Sequence, residues 1–447
     1  KLILAFTFDD TQINKSEYFS ASSFEFMLEC IEDLNKQLSY KLSFFEGKSF
    51  YRKIKDVKAI AFNVDYTPYA KKRDDQIMKY CKAKNIRVIT DQDYTLFPMK
   101  FIKTQSGEST YKVFTPFYNM CLSKAKNILP SKSNFLNFDN IETKRGINID
   151  NRIGIKQIIL KKYKLSKSSK DISGGREEVM KIFALIKNTN TFDNYTQRRN
   201  FPYLQNSTTR LSAYIKYGCV SIREVFHLLT NKYGAHHDLV KQLFWREFYA
   251  NITDSFPYTL SKMVTKRENS AFYQYYNKIF WNTKSSHFEK WCKGETGFPI
   301  VDAGMKQLNE TGFMHNRLRM ITASFLIKDL GIDWREGEKY FASKLIDYDP
   351  SSNNGGWQWV AGTGTDASPY FRVFNPWTQM KNFDKHCMYV KFWIPALSNV
   401  EAKDIRQWYD ASVRVKYVNI DYSAPIVDHD EQKTTILQKY KKLKKNK

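Results

Sequence analysis

The chain has 447 residues, a formal net charge of +25 and a pI near 9.5. This length permits two or three domains with sizeable cores, and the charge indicates a polyanionic partner such as nucleic acid or an anionic membrane surface. No apolar run approaches the roughly 18 residues that a membrane span needs, no secretory signal is visible, and the six scattered cysteines form no C-x-x-C pair. These features argue against a membrane protein, a disulfide framework and a zinc site. We expect an intracellular protein without a metal ion, in a reducing compartment that is either cytoplasm or nucleus.

The first hundred residues alternate short apolar runs with amphipathic stretches. Ser22 and Glu25 match a capping box ahead of helically spaced apolar residues, and 70–84 is a second predicted helix. The predicted strands are 2–8, 42–45, 57–64 and 86–90. Such alternation predicts a parallel sheet covered by helices, and hence an α/β domain over residues 1–100.

The patterns change in the rest of the chain. Periodicity fades over 101–175, where 156–170 is rich in lysine and serine, so we predict a solvated linker. Helical signals without strand alternation predict an all-α domain over 176–430. Residues 431–447 are predicted to be a disordered basic tail.

Hydroxyl groups and an arginine precede a helical pattern in the run 207–212, Ser-Thr-Thr-Arg-Leu-Ser. Backbone N–H groups at a helix start are unpaired, and the helix dipole favours an anion there, so this run could hold a phosphate. A plain N-cap needs the same residue types. Physical reasoning alone favours the cap.

Two later segments carry polar side chains at helical spacing. In the first, Gln242 and Trp245 are three residues apart and share a face, with Arg246 beside them. In the second, the residues on one face are Asn316, Arg319 and Met320. Arg317 points away from that face, and a mixed-charge surface helix remains the alternative.

The densest motif runs over 353–376, where paired asparagines and glycines precede Trp357-Gln358-Trp359. In a helix the two indoles lie on nearly opposite faces. Two core aromatics beside a turn would be the ordinary interpretation of such a pair. However, the whole stretch from about 195 to about 395 closely resembles the cryptochrome/photolyase family, and within it the DNA photolyases that repair cyclobutane pyrimidine dimers.

The resemblance implies a Rossmann-like α/β N-terminal domain and an all-α C-terminal FAD-binding domain. The implied function is light-driven repair of UV-damaged DNA, in which an electron passes from reduced FAD to a flipped-out dimer. The alternatives are a cryptochrome-like flavin photoreceptor and a DNA-binding family member with weakened or lost repair activity. We expect a monomer.

Two departures from the family pattern concern the N-terminal domain. Family members usually open with a strand and an arginine-rich loop ahead of the strand at 2–8. That unit is absent here, so we expect a sheet that lacks an inner strand and a domain truncated at its N-terminus. Tyr69 and Ala70 stand where folate-binding members carry an Asn-Glu pair, which argues against a folate antenna and leaves a deazaflavin, a second flavin or no antenna open.

The resemblance also assigns a flavin site. The implied cofactor-binding residues are Tyr195, Thr208, Thr209, Arg210, Leu211, Ser212, Arg246, Asn316, Arg319, Asp347, Tyr348, Asp349 and Asn353. Asn353 matches the residue beside flavin N5, where plant cryptochromes commonly have aspartate, so it favours repair over signalling. Trp357, Trp334 and Trp281 match the proximal, middle and distal members of the family's electron relay.

A second set of residues is implied to face the substrate. Its members are Arg199, Gln242, Trp245, Asn316, Arg317, Met320 and Trp359. Dimer-repair enzymes usually have glutamate where Gln242 stands, so we expect repair that is reduced but not lost. Photolyases for the (6-4) lesion have a second histidine where Asn316 stands, which argues against that lesion.

Overall fold

The computed structural model describes residues 1–13, 16–104, 107, 110–130, 138–144, 146–166, 168, 170–263, 270–283 and 285–445. In these ranges the chain forms an N-terminal α/β unit followed by a helical unit. No helix in the described part of the chain is both long and apolar enough to cross a membrane.

The N-terminal unit contains four strands of five residues each. They are β1 (Leu4–Phe8), β2 (Leu42–Glu46), β3 (Ala59–Asn63) and β4 (Arg87–Asp91). β1 pairs in parallel with β2, and β3 pairs in parallel with β4, as two separate sheets. The parallel pairing confirms the predicted α/β class.

Helices connect and flank these strands. They are α1 (Asp10–Ile13), α2 (Ala21–Gln37) and α3 (Pro68–Ala83). Ser20 is the N-cap of α2, and its hydroxyl accepts the Ser23 N–H at 3.2 Å. The predicted capping box of Ser22 and Glu25 is therefore wrong. The buried Glu25 carboxylate instead accepts the N–H and hydroxyl of Ser168, at 2.7 and 2.8 Å.

The segment predicted as a solvated linker contributes to the fold. It contains α4 (Phe114–Ser123) and α5 (Ile155–Lys162). Ile155 and Ile159 are buried in the core of the N-terminal unit, and Lys156 and Lys170 pair with Glu29 at 2.9 and 2.7 Å. The prediction of a solvated linker is therefore wrong for the described part of 156–170, since part of the segment is buried and two of its lysines are paired with α2.

The helical unit contains only helices and turns among its described residues, which confirms the all-α prediction. Its first helices are α6 (Arg176–Asn188), α7 (Tyr195–Arg198), α8 (Ser212–Lys216), α9 (Ile222–Tyr233), α10 (Asp238–Ser255), α11 (Ser285–Lys293) and α12 (Pro299–Thr311). The others are α13 (Asn316–Ser324), α14 (Trp334–Lys344), α15 (Pro350–Ala361), α16 (Pro376–Phe383), α17 (Met388–Trp393), α18 (Ala402–Ile405), α19 (Ala411–Arg414) and α20 (His429–Lys445). A π-helical turn, Phe325–Asp329, extends α13.

The C-terminal segment forms a helix that packs on this unit. Ile436 and Tyr440 of α20 are buried, and the Tyr440 hydroxyl donates to the Ala361 carbonyl at 2.7 Å. The Lys328 ammonium lies 3.9 Å from the centre of the Tyr440 ring. The prediction of a disordered tail is therefore wrong for 431–445, and residues 446 and 447 lie outside the described part.

Candidate functional site

Two of the predicted cofactor residues, Ser212 and Arg319, contact a third, Asp347, which lies between α14 and α15. Ser212, in the first turn of α8, donates its hydroxyl to Asp347 Oδ2 at 2.7 Å. Arg319 of α13 donates from Nη2 to both carboxylate oxygens, at 3.1 and 3.0 Å. Its Nε donates to the Met314 carbonyl at 2.8 Å, so the guanidinium orientation is fixed. The site therefore has a rigid, charge-paired corner.

The run 207–212, considered above as a possible phosphate site, does not cap the helix that follows it. Leu211 occupies the N-cap position of α8 without a side-chain capping hydrogen bond, so the plain N-cap interpretation is wrong. Arg210 has a positive φ of 54° and pairs with Asp171 at 2.8 Å, while its Nε is buried without a partner among the described residues. Thr208 and Thr209 are half-buried.

Asp349 joins the two units of the chain. Its Oδ1 caps α15 by accepting the Ser352 N–H at 2.8 Å, and its Oδ2 accepts the hydroxyls of Tyr94 and, at 3.5 Å, Tyr66. Burial raises the pKa of Asp349. Sequence analysis missed both tyrosines. They follow β3 and β4, and the carboxyl ends of neighbouring parallel strands lie at one sheet edge, which is the signal that could have found them.

Arg246 lies against the same tyrosine. Its guanidinium is 3.9 Å from the centre of the Tyr94 ring and donates from Nη1 to the Tyr94 carbonyl. Its Nη2 is buried without a partner among the described residues, and burial lowers the pKa of Arg246. A buried, unpaired donor on a cation is costly, so the position suits an anionic group that would complete the pairing.

Asn353 and Trp357 belong to α15, and both face α14. Asn353 Nδ2 donates to the carbonyl and to Oε1 of Glu338, each at 3.0 Å. Trp357 is buried, with its ring centroid 4.9 Å from Phe341 and 6.2 Å from Trp291. These contacts hold the asparagine amide and the first indole of the predicted relay in place.

The structure also places three other residues predicted for the site. Tyr348 stacks on Tyr18 of the N-terminal unit at 6.2 Å. Tyr195 is buried at the start of α7, and burial raises its pKa. Trp359 is half-buried, so the two indoles of the motif differ in exposure, as expected for nearly opposite faces of a helix.

The other two relay tryptophans are in or beside the same core. Trp334 is buried in the cluster that contains Trp357, and Trp281 packs against that cluster. The Trp281 Nε1 is buried without a partner among the described residues. Sequence analysis missed Trp291, which contacts Trp357 and donates its Nε1 to the Thr322 carbonyl at 3.0 Å.

The predicted substrate residues of α10 line one half-exposed surface. Trp245 is stacked face to face on Phe114 of α4, with centroids 3.5 Å apart. Gln242 Nε2 donates to the Asp238 carbonyl of the same helix at 3.0 Å. Phe114 therefore covers one face of the indole, and the Tyr249 ring also stacks on Trp245 at 5.8 Å.

Three arginines converge at the start of α13. Arg317 donates to the Asn200 side chain at 2.7 Å and lies 4.3 Å from the Phe383 ring. Burial, together with repulsion from Arg199 and Arg372, lowers the pKa of Arg317. Like charges held together in this way suit a polyanion. Arg372, within the tryptophan motif, was missed by sequence analysis.

Asn316 and Met320 lie one turn apart on the exposed side of the same helix, with Nδ2 and Sδ 3.8 Å from each other. α13 therefore carries, within one turn, both the arginine cluster and Arg319 of the Asp347 corner. In the described part of the chain, no group of three or more His, Cys, Asp or Glu side chains is arranged to hold a metal ion.

Comparisons with known proteins agree with this geometry. A family model described as the FAD binding domain of DNA photolyase matches residues 239–442, and one described as DNA photolyase matches residues 1–134. The deoxyribodipyrimidine photo-lyase of Escherichia coli (strain K12) is 36% identical over 402 residues, which cover 88% of this chain and 80% of that protein.

Two solved structures are similar over almost the whole chain. An archaeal photolyase from Sulfolobus tokodaii, with two FAD molecules, has a TM-score of 0.80 and 32% identity, covering 98% of this chain and 93% of that one. A bacterial class III photolyase from Agrobacterium tumefaciens has a TM-score of 0.83 and 27% identity, covering 99% and 92%. The chain belongs to the photolyases of the cryptochrome/photolyase family, and its cofactor is FAD. The resemblance found in the sequence is thereby confirmed.

The residues present fit this cofactor. Arg246 and Arg210 offer buried, unpaired N–H groups, which anionic or carbonyl oxygens could satisfy. At Gly356, three residues after Asn353 within α15, an added Cβ would meet no atom within 4 Å. The helix therefore leaves open space on the side where Asn353 is expected to meet the flavin.

Proposed function

We propose that this protein repairs cyclobutane pyrimidine dimers in DNA, using light. The observation that carries the proposal is the arrangement of α13. Arg317 of this helix joins a cluster of three guanidinium groups, while Arg319, two residues later, pairs with Asp347 in the cofactor corner. DNA phosphate and flavin would therefore be held by neighbouring side chains of one rigid element.

The DNA-binding residues have separate roles in this proposal. Arg199, Arg317 and Arg372 bind the phosphates that flank the lesion, where charge-assisted hydrogen bonds relieve their mutual repulsion. Flipping the dimer out of the duplex costs a few kcal/mol and is easiest at a damaged, poorly stacked site. The flipped-out dimer, two adjacent pyrimidines of one strand, would then lie between the arginine cluster and the cofactor corner.

Within the pocket, the chain orients the dimer. The indole of Trp245, held by the rings of Phe114 and Tyr249, forms one wall beside the dimer, and Trp359 covers the dimer. Asn316 and Met320 line the pocket beside the arginines, and the amide of Gln242 bonds the pyrimidine rings. The helices hold these side chains in place before the substrate binds, so binding costs little side-chain conformational entropy.

The cofactor residues position the flavin and set its electronics. Bound FAD in its reduced form supplies the light-excited electron donor. The corner of Ser212, Arg319 and Asp347 fixes where the cofactor lies. Asn353, held by Glu338, keeps an amide beside N5, and hydrogen bonds there tune flavin chemistry.

Trp357, Trp334 and Trp281 are proposed as the relay that brings electrons from the surface. Their shared aromatic core excludes water along the route. We infer in addition that the protein acts as a monomer, inside the cell, where its cysteines stay reduced. Light scattering of the purified protein alone and with DNA tests the monomer.

The decisive experiment is illumination of purified, chemically reduced protein with an oligonucleotide that holds one cyclobutane thymine dimer. The repaired strand is separated by chromatography, and darkness and a (6-4) lesion serve as controls. We expect light-dependent repair of the cyclobutane dimer only. Flavin-loaded protein that leaves the dimer intact, or repairs the (6-4) lesion instead, would overturn the proposal.

A variant pair tests the arginine cluster. Arg372→Ala should weaken binding to damaged DNA, whereas Arg152→Ala, which removes the same charge from the N-terminal unit, should not. The Arg152 side chain is 90% exposed and, among the described residues, pairs with Asp150, so its loss reports the effect of net charge. Equal losses of affinity in both variants would count against a specific cluster.

A further inference from the structure

The loop that joins α15 to α16, called here the α15–α16 loop, is bonded to both tryptophans proposed to border the dimer. Its Ser368 N–H donates to the Trp359 carbonyl at 3.1 Å. Its Asp366 accepts the Phe114 N–H on Oδ2 at 3.3 Å, and the Phe114 ring stacks on Trp245 with centroids 3.5 Å apart. The position of this loop therefore bears on Trp359 directly and on Trp245 through one ring.

Two buried side chains hold the same loop at two points. The Lys328 ammonium donates to the carbonyls of Ala361, the last residue of α15, and of Tyr370, at 3.2 and 3.4 Å. Tyr440 of α20 donates its hydroxyl to the same Ala361 carbonyl at 2.7 Å. Its ring stacks on Tyr370 with centroids 5.8 Å apart and planes 8° apart. These contacts tie together the two ends of the stretch that bonds the tryptophans.

The π-helical turn that carries Lys328 also anchors α20 at its other end. His429, the first residue of α20, has its Nδ1 2.5 Å from Oδ1 of the fully buried Asp329. Tyr440 lies three turns further along the helix, so α20 is bound to the body of the helical unit near both ends. It is therefore a fixed support for the ring of Tyr370.

The cost of burying Lys328 indicates that the cation has a role besides filling space. The side chain is 1% exposed, and burial lowers its pKa to about 7. An apolar side chain of similar volume would occupy the same place without this loss of hydration. A hydrogen bond fixes the direction of a carbonyl, which an apolar contact does not. The contribution of the ammonium group is therefore to orient the backbone of the loop.

We propose that Lys328 and Tyr440 are positioning residues for recognition of the dimer. They fix the α15–α16 loop, and the loop holds Trp359 and the stacked pair of Phe114 and Trp245 in the orientation that receives the lesion. This inference rests on the proposed function. Without the two side chains, the loop and the rings bonded to it would have to be ordered on binding, which costs affinity. Repair of a bound dimer depends on the electron donor, so its yield per absorbed photon should not change.

Three variants and one control test the proposal. Tyr440→Leu removes the hydroxyl group and the ring stack, whereas Tyr440→Phe keeps the ring. Lys328→Met removes the two carbonyl bonds at similar volume. Tyr163→Leu is the matched control, because Tyr163 is also buried and donates its hydroxyl, to Asp10 at 3.2 Å, but lies in the core of the N-terminal unit.

The measurements are made on flavin-loaded protein in the dark, except for repair. Hydrogen exchange reports the Ser368 N–H and the other loop amides, and anisotropy gives the Kd for a duplex with one cyclobutane thymine dimer and for the undamaged duplex. In Tyr440→Leu and Lys328→Met we expect faster exchange and a Kd for the damaged duplex about tenfold higher, equivalent to about 1.4 kcal/mol, with a smaller rise for undamaged DNA. The repair yield per photon at saturating DNA should stay the same. Tyr440→Phe should recover much of the affinity, and Tyr163→Leu should match wild type.

Other outcomes contradict the proposal. Unchanged exchange in Tyr440→Leu and Lys328→Met would show that these residues do not hold the loop, and faster exchange with wild-type preference for damaged DNA would show that the loop does not position the pocket. Equal losses in Tyr163→Leu would assign the effect to stability. If Tyr440→Leu loses its flavin, Tyr440→Phe and Lys328→Met decide. Wild-type protein that does not repair the dimer would overturn the proposed function, which none of the variant results can do.

Discussion

Two adjacent glycines of α15 test how closely the helices around the site pack. An alanine Cβ at Gly355 would lie 2.1 Å from Cδ1 of Tyr249 on α10, whereas one at Gly356 would meet no atom within 4 Å. The Tyr249 ring stacks on Trp245 at 5.8 Å. The same substitution at neighbouring positions should therefore have opposite effects on stability.

The magnitudes follow from two contributions. Replacing glycine by alanine inside a helix stabilises by about 0.5–1 kcal/mol, because the unfolded chain loses freedom. Forcing an extra carbon into a packed contact typically costs about 1–3 kcal/mol, and only Gly355 incurs this cost. Gly356→Ala should raise the free energy of unfolding by about 0.5–1 kcal/mol, and the two variants should differ by about 1–3 kcal/mol.

Equilibrium urea denaturation of the flavin-free protein measures both values, and the difference between them cancels helix propensity. In a Tyr249→Ala background the ring is absent, so Gly355→Ala should become as favourable as Gly356→Ala. Equal shifts at the two glycines in the wild-type background would refute the close approach of α10 and α15.

Four further predictions concern chemistry, DNA binding and pH. Gln242→Glu should raise repair about fivefold at equal flavin reduction, because a hydrogen bond to a charged group is stronger by roughly 1 kcal/mol; no gain would indicate a different substrate geometry. Trp357→Phe should slow photoreduction of the oxidised protein severely and spare repair by chemically reduced protein, and unchanged photoreduction would remove this indole from the relay. Arg372→Ala should reduce the slope of log K against log salt by about 0.9 on duplex DNA, and an unchanged slope would place this arginine away from phosphate. Burial lowers the pKa of Lys328 from 10.5 to about 7, so the unfolded chain binds the proton more tightly than the folded protein. The free energy of unfolding should therefore increase with pH between these two values, by at most about 1.4 kcal/mol per pH unit. The Lys328→Met variant should not show this increase, and a wild-type protein without it would contradict the burial of the lysine.

The sequence by itself determined the element types and the family of this protein. Residue spacings of two to four predict the parallel strands, the helical unit and the positions of the two tryptophans on their helix. A contiguous run of matching residues identifies the family. Such short-range patterns survive without coordinates because each depends only on neighbours along the chain. The same patterns were wrong about α20, where Ile436 and Tyr440 are spaced four apart among lysines, and the lysines dominated the prediction.

Only the tertiary structure decided which of these residues meet. Ser212 and Arg319 come from two separate helices and Asp347 from the turn between two others, and Tyr66 and Tyr94 reach Asp349 from the other unit of the chain. Glu25, expected to cap its own helix, binds Ser168 instead. Buried polar groups must find partners wherever the fold brings them, and partners that are distant along the chain obey no local spacing. For that reason the roles of individual site residues could be expected from the family, whereas the contacts that hold them depended on the packing of the whole chain.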